Sequence, residues 1–504
     1  MRNSAVTWGG FCPSVKYTPC FNDINHMEVQ SMSSSSKASE RVNALLDDNS
    51  FVEVGARVTA RSTNFNVKPE QTPSDGVITG YGTIDGSLVF VYSQDSSVLG
   101  GSIGEMHAKK ITGLYDLALK TGAPIIGLLD SAGLRLQEGT DALNAFASIY
   151  AKEAEASGVI PQIAAVFGNC GGGLAVAAGM ADFTFMAKDA KLFVNSPNAL
   201  AGNSEDKKDT AAAAYKAEAG AVDAVGTEAE VLEQIRALVS ILPSNNEDEA
   251  AAECDDDLNR ASANVANGIA DPSVAAADLS DGNLFVETKA DYAKEMATGF
   301  IKLNGETVGV IANRTASYDE KGEKTEEFKP VLTVGGAQKA ADFVSFCDAF
   351  EIPVVTLTNV SGFCTCECAE KKIAKAAAKL AAAFAGASVP KVNVVVGEAF
   401  GSAYTVMNSK ALGADITMAL PDARIGMMDG NFAAKVIAAG KDAAAVAETA
   451  KAYNELQNSI DSAAAHGYVD QIVEPADLRK YLIGALEMLY TKREDFPAKK
   501  HMTV

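Results

Sequence analysis

Residues 158–179 read GVIPQIAAVFGNCGGGLAVAAG. An apolar strand runs into a glycine cluster at Gly171, Gly172 and Gly173, and a helix of small residues follows. Such a turn leaves unpaired N–H groups at the positive end of a helix with no side chain in the way. It suits an anion or an oxygen that gains negative charge during a reaction. A tight turn that lets the helix pack closely on its strand would use the same residues, and one glycine run alone does not choose between the two.

A second copy of the pattern bears on the choice. GAPIIGLLDSAG near residue 122 recurs in outline as EIPVVTLTNVSG near residue 351, and the glycine turn recurs in SVPKVNVVVGEAFGSAY. At one offset of 229 residues Pro124 matches Pro353, Gly133 matches Gly362, Pro161 matches Pro390, Gly168 matches Gly397 and Gly172 matches Gly401. The chain has only 15 prolines, so two proline matches at one offset mark a true repeat. Downstream, ADFTFMAKDAK from Ala181 pairs with ADITMALPDAR from Ala414; upstream, DGSLVFVYSQD resembles NGETVGVIANR. Each copy reads as β-rich runs (Val77 to Tyr92; Thr307 to Ala312), a helix (Glu105 to Lys120; Gln338 to Phe350), a strand with a glycine end, then helix, strand and glycine turn. PIIGLLD and KVNVVVG are apolar throughout, as strands covered on both faces are. The fold class is therefore α/β in two copies.

At 504 residues the chain is too long for one ordinary core and suits two domains of about 200 residues. The acidic, weakly periodic stretch from about 243 to 265 marks the join. The expected division is a disordered leader over 1–36 without the apolar run of a signal peptide, an N-terminal domain over 37–250 and a C-terminal domain over 251–504. The alanine-rich stretch 432–465 is expected to form helices packed tightly on a neighbour.

Composition narrows the function. A net charge of −22 argues against a nucleic-acid partner or an anionic membrane surface. No apolar run reaches a membrane span. Eight cysteines without framework spacing imply reduced thiols and a cytoplasmic location. Four scattered histidines offer no metal cluster. CTCEC at 364–368 suits a soft metal less well than C-x-x-C pairs do, so no metal is expected. Cys170, inside the first turn, reads as a packing residue because no base lies near it in sequence. No phosphate-binding G-x-x-x-x-G-K motif is present and no ribose-binding acid is placed for a dinucleotide. What remains is chemistry that needs two oxyanion holes.

Six blocks in order carry a family resemblance: GGSIGEMHAKKI (100–111), DSAGLRLQEG (130–139), GNCGGGLA (168–175), FVSFCDAFEIPVVTLTNVSGF (343–363), GEAFGSAYTVMNSKALGAD (397–415) and AAAHGYVDQIVEP (463–475). Over residues 37–504 the chain resembles the carboxyltransferase subunits of biotin-dependent acyl-CoA carboxylases and decarboxylases. That group includes propionyl-CoA carboxylase β, methylmalonyl-CoA decarboxylase α and the transcarboxylase large subunit. The resemblance implies two tandem crotonase-like (ClpP/crotonase) β-β-α superhelix domains. It also implies a homo-oligomer, a hexamer, with sites between the N-domain of one subunit and the C-domain of another. The implied reaction moves a carboxyl group between carboxybiotin and the α-carbon, or a vinylogous position, of a short acyl-CoA through an enolate.

Carried over residue by residue, the amides around Gly171, Gly172 and Gly173 would hold the thioester oxygen. Those around Gly401, Ser402 and Ala403 would hold the ureido oxygen of biotin. Arg135, Lys109, Phe363, Tyr404 and Thr405 are the implied substrate-binding positions, with Phe363 beside biotin. Lys109 and Lys110 could meet CoA phosphates, and Arg135 could instead be ion-paired with Glu138. No M-K-M biotin-attachment segment occurs in the sequence, so the implied cofactor is biotin on a separate biotin carboxyl carrier protein. The further partners are biotin carboxylase or membrane decarboxylase subunits. The chain departs from the family pattern at Ser402, where glycine is usual, at Thr405, where many members have aspartate, and in SGFCTCECAEKKIAKAAAKL. Three alternatives follow: the α subunit of a sodium-pumping decarboxylase, peripheral to a membrane complex; a non-catalytic scaffold; and a crotonase-type hydratase or isomerase, which the second turn disfavours.

Overall fold

Two eight-stranded sheets of the same design organise the chain. In the first, β1 (Val52–Glu53), β2 (Val77–Ile84), β3 (Ser87–Gln94), β4 (Ile125–Ser131), β5 (Gln162–Gly171), β6 (Phe183–Ala187) and β8 (Ala224–Gly226) lie side by side in that order, with β7 (Lys191–Phe193) on the end of β5. The second repeats this order with β9 (Val286–Thr288), β10 (Met296–Leu303), β11 (Glu306–Asn313), β12 (Val354–Val360), β13 (Lys391–Phe400), β14 (Ile416–Ala419) and β16 (Gln471–Ile472), and β15 (Arg424–Gly426) on the end of β13. Each sheet starts antiparallel and becomes parallel from its third strand. This computed structural model describes residues 36–504 except 64, 66, 67, 249, 250, 252, 253, 320, 495 and 499–502. The expected leader therefore lies outside the described residues apart from Ser36, which caps the helix Lys37–Leu45.

The duplication extends to single hydrogen bonds. In each large sheet the β2–β3 or β10–β11 hairpin turns on two residues of positive φ, Asp85-Gly86 and Asn304-Gly305, the dipeptides that favour a type I′ turn. Asp182 Oδ2 accepts from the Gln162 amide at 2.8 Å, and Asp415 Oδ2 from the Lys391 amide at 2.8 Å. Asp223 and Asp470 do the same for the amides of Thr184 and Thr417. Gln94 Oε1 accepts from the Asp130 amide and Asn313 Oδ1 from the Asn359 amide. These polar pairs pin strand ends that apolar side chains alone would leave free to slip in register.

The core is continuous between the copies. Phe183 on β6 meets Phe346 of the helix Val334–Ala349 edge-on at 4.8 Å, and Phe300 on β10 joins both rings. A second apolar layer lies on β12 and β13 and includes Leu482 and Leu486 of the helix Leu478–Leu489. The alanine-rich stretch folds as the helices Gly430–Ile437, Ala443–Leu456 and Ile460–Ala465. As expected, the first two pack closely on a neighbour, namely each other, and they leave Phe432, Val436, Ile437 and Leu456 exposed. Small residues allow the close approach of this pair, while these four large apolar side chains face outward.

Candidate active site

The first turn leaves β5 at Gly171 and enters the short helix Gly173–Ala178 through Gly172, at φ 61° and ψ −125°. A Cβ on Gly172 would meet nothing within 4 Å, so the turn opens onto free space. The neighbours hold it: a Cβ on Gly171 would strike the Phe193 ring at 2.8 Å, and one on Gly173 the Tyr150 hydroxyl at 2.8 Å. Of the three expected amides, that of Gly172 is committed to the Phe193 carbonyl at 2.9 Å. The donors without an intrahelical acceptor begin at Gly173 and Leu174. Tyr150 donates its hydroxyl to the Gly173 carbonyl at 2.6 Å, which fixes the peptide plane that carries the Leu174 N–H. Cys170 is fully buried and its thiol is pushed up to about 12 by burial, as suits a packing residue.

The second turn leaves β13 and starts the helix Gly401–Thr405 with Gly401, also at φ 61°. Here the Met427 carbonyl closes the approach to 3.2 Å from a Cβ. Ser402 is exposed and Ala403 is buried. Tyr404 is half-buried with its phenol pushed up to about 12 by burial, so it is neutral. The Thr405 hydroxyl folds back onto the Gly401 carbonyl at 3.3 Å. Phe363 sits in a short strand, Gly362–Phe363, that pairs with Val331–Leu332 and packs on the helix Gly401–Thr405. A Cβ on Gly362 would meet nothing within 4 Å.

The basic candidates separate. Lys109 is exposed. Lys110, which the sequence suggested for CoA phosphates, is buried; its Nζ donates to the Ser74 and Val77 carbonyls, and burial pulls its pKa down to about 8. Arg135 is also buried: Nη1 lies 2.5 Å from Asp75 Oδ1 and 2.9 Å from Glu138 Oε1, and Nη2 donates to the Ser102 carbonyl at 2.6 Å. Of its two expected roles the ion pair with Glu138 is observed, and no face of the guanidinium is open to solvent. Glu138 in turn accepts from the Glu105 amide at 2.6 Å, at the start of a helix where a carboxylate is favoured. His107 lies under this network, its Nδ1 2.9 Å from the Asp75 carbonyl; burial lowers its pKa to about 3, so it is neutral.

Residues 33–504 match the carboxyl transferase domain family. The chain belongs to that family. The chain is 37% identical over 481 residues to the propionyl-CoA carboxylase beta chain of Roseobacter denitrificans, covering 92% of each protein. To the methylmalonyl-CoA decarboxylase subunit alpha of Veillonella parvula it is 37% identical over 491 residues, covering 94% of each. It is similar, at TM-score 0.84 and 35% identity over 92% of each chain, to transcarboxylase 12S, whose structure is described as a hexamer assembly with hydrolysed methylmalonyl-coenzyme A bound.

This carboxyltransferase thus has the expected enzyme class and the expected two-domain crotonase-like fold. Residues that sequence reasoning did not single out lie beside the two turns and the strands that lead into them. Gly133 faces the first turn, a Cβ there lying 3.7 Å from the Gly171 carbonyl. Asp130 and Asn359 fill the space beside Gly168 and Gly397. The signal was available: Gly133 and Gly362, and Asp130 and Asn359, are separated by the repeat offset. Among the described residues no group of three or more His, Cys, Asp or Glu is placed to hold a metal ion, and no helix is long and apolar enough to cross a membrane.

Proposed function

We propose that this carboxyltransferase moves a carboxyl group between biotin on a separate carrier protein and the α-carbon, or a vinylogous position, of a short acyl-CoA. The observation that carries the reading is the repeated turn: Gly172 and Gly401 share φ 61°, each where a parallel strand of its own sheet enters a short helix. Two equivalent donors suit a reaction with an oxyanion on each of two partners, and such preorganised donors gain strength where water is excluded.

On this reading the first-turn amides from Gly173 hold the thioester oxygen, which becomes the enolate oxygen as the α-carbon gives up a proton or a carboxyl group. Tyr150 keeps the Leu174 amide in plane, and Phe193 closes the strand side. The 37–250 domain is the acyl-CoA side and the 251–504 domain the biotin side. The residues at the second turn fit biotin: Gly362 opens onto free space, Phe363 offers an apolar surface, and the amides of Gly401, Ser402 and Ala403 start a helix. When bound, biotin supplies the carboxyl group in transit and a ureido group able to accept the α-proton. Lys109, exposed on the helix Glu105–Thr121, is assigned to the CoA phosphates, and Tyr404 and Thr405 to the wall of the second site.

The exposed apolar side chains of Phe432, Val436, Ile437 and Leu456 support a homo-oligomer, the likeness to transcarboxylase 12S favours a hexamer, and the unpaired cysteines suit the cytoplasm. The decarboxylase direction, with membrane subunits as partners in place of biotin carboxylase, uses the same residues and is supported by the likeness to methylmalonyl-CoA decarboxylase. The test is biotin-dependent loss of carboxyl radiolabel from malonyl-, methylmalonyl- and glutaconyl-CoA, with free biotin and then with a biotinylated carrier. Release that requires biotin and selects one thioester is expected. No release from an intact oligomer would favour a non-catalytic scaffold, and release without biotin a crotonase-type activity.

A further inference from the structure

CTCEC takes no part in the reaction proposed above, and its geometry is unusual. Cys364 follows Phe363 directly, is half-buried, and donates its amide to the Leu332 carbonyl at 2.9 Å. Cys366 and Cys368 are exposed. The Sγ atoms of Cys366 and Cys368 lie 2.7 Å apart, and Cys364 Sγ lies 3.6 Å from Cys366 Sγ. Cys366 is the N-cap of the short helix Glu367–Glu370, and its sulfur accepts from the Ala369 amide at 3.3 Å.

The environments of the two exposed thiols differ. Cys366 is pulled below the ordinary thiol range by the Cys368 thiol, the Ala369 amide and the Cys364 thiol, while Cys368 is pushed up by Cys366. Cys170 and Cys347 are buried and shifted upward by burial, as inert structural thiols are. An exposed thiol whose pKa is pulled down and which has a second thiol in reach is the arrangement of a redox-active pair.

We propose that Cys366 and Cys368 form a redox-active dithiol, a modification site that closes to an intramolecular disulfide by exchange with a low-molecular-weight disulfide. The Cys366 thiolate attacks one sulfur of the external disulfide, whose S–S bond breaks to release one thiolate and leave a mixed disulfide on Cys366. Cys368 then gives its proton to solvent and attacks Cys366 Sγ, expelling the second thiolate. The protein loses two protons and two electrons, and the external disulfide becomes two thiols. Cys366 is the attacking sulfur and Cys368 the resolving one.

The full-length oligomer is equilibrated in glutathione buffers of rising oxidised fraction, quenched with acid, alkylated and mapped by mass spectrometry. The peptide containing residues 364–368 is expected to lose the mass of two hydrogens and to regain it with dithiothreitol. Cys368→Ser is expected to accumulate a glutathione adduct on Cys366. Cys366→Ser keeps a capping oxygen and is expected to slow modification roughly tenfold or more. A peptide that stays reduced in oxidised glutathione alone overturns the proposal. So does a Cys366→Ser chain that joins Cys364 to Cys368 as fast as the unaltered protein closes.

Discussion

The carboxylate of Asp130 fills the space that a side chain on Gly168 would need: its Oδ1 lies 2.0 Å from the position of a Cβ there. The second copy repeats the relationship, with Asn359 Oδ1 2.5 Å from a Cβ on Gly397. Asp130 cannot retreat freely, since Arg41 Nη1 holds its Oδ2 at 3.2 Å and Ser96 donates to the same oxygen at 3.0 Å. Arg41 is itself paired with Glu228 at 2.9 Å. Gly168→Ala is therefore expected to destabilise the fold by about 1–3 kcal/mol, as overpacking does. In an Asp130→Gly background the same change should cost at least about 1 kcal/mol less. Urea unfolding of the four chains of this cycle checks it, and strict additivity would show that the contact is not the cause.

Gly172 separates stability from activity. Alanine at its φ of 61° and ψ of −125°, a combination that essentially only glycine adopts, costs about 1–3 kcal/mol of backbone strain, and open space around the new methyl adds no clash. On the proposed function the methyl stands at the mouth of the first turn, so biotin-dependent exchange is expected to fall by about 10²- to 10³-fold, the loss of one oxyanion donor. Gly401→Ala should behave alike with a further packing cost, because the Met427 carbonyl lies 3.2 Å from that Cβ. Exchange rates set beside unfolding curves distinguish the cases. A rate that falls only with the folded fraction would remove the turn from the reaction.

The repeat was legible because glycine and proline occur where the backbone leaves no choice. The same offset that matched Gly172 to Gly401 also matches Asp130 to Asn359, and a carboxylate and a carboxamide of the same shape occupy equivalent positions with different charge. Lys109 and Lys110 were harder to separate, as adjacent lysines look alike in composition. Helical phase would have told them apart: Lys110 lies three residues after His107 and four before Leu114, on the face that is buried with Ile111. Tyr150 and Gly133 could not be placed at the first turn from local pattern, because both reach it from other segments of the chain. The exposed face of the helices at 430–456 was invisible for another reason, since the alanines that pack the pair outnumber the large side chains left outside.

Arg135 is expected to hold the fold around the site rather than to touch substrate. Its guanidinium joins Asp75 and Glu138, all three fully buried at their side chains. Removing it in Arg135→Ala leaves two buried carboxylates without their partner, and loss of one member of such a set costs about 3–5 kcal/mol. Arg135→Lys keeps the charge but cannot reach both carboxylates and Ser102 with one planar fork, so it should recover only part of the loss. Denaturant titration with and without saturating CoA tests this: the same deficit is expected in both. A stable Arg135→Ala chain with a raised KM alone would return the residue to the CoA contact.

Glu153 gives the protein a pH dependence opposite to that of an ion-paired carboxylate. It is buried, its Oε2 has no hydrogen-bond partner, and burial pushes its pKa up to about 8. Asp182, on the same strand-end network, is pushed up to about 7 chiefly by burial. In the unfolded chain both groups lose their protons near pH 4, whereas the folded chain keeps them until pH 7–8. Between those limits the folded state binds more protons, so stability declines as pH rises, by up to about 1.4 kcal/mol per pH unit for each group. The contribution is fully present below pH 4 and fully lost above about pH 8. Glu153→Gln cannot ionise and should flatten its share of the decline, leaving the variant roughly 1–3 kcal/mol more stable than the unaltered chain at pH 9 and little changed at pH 5. Denaturant midpoints measured across that range test the sign directly, and parallel curves for the two chains would mean that Glu153 is already charged in the folded protein.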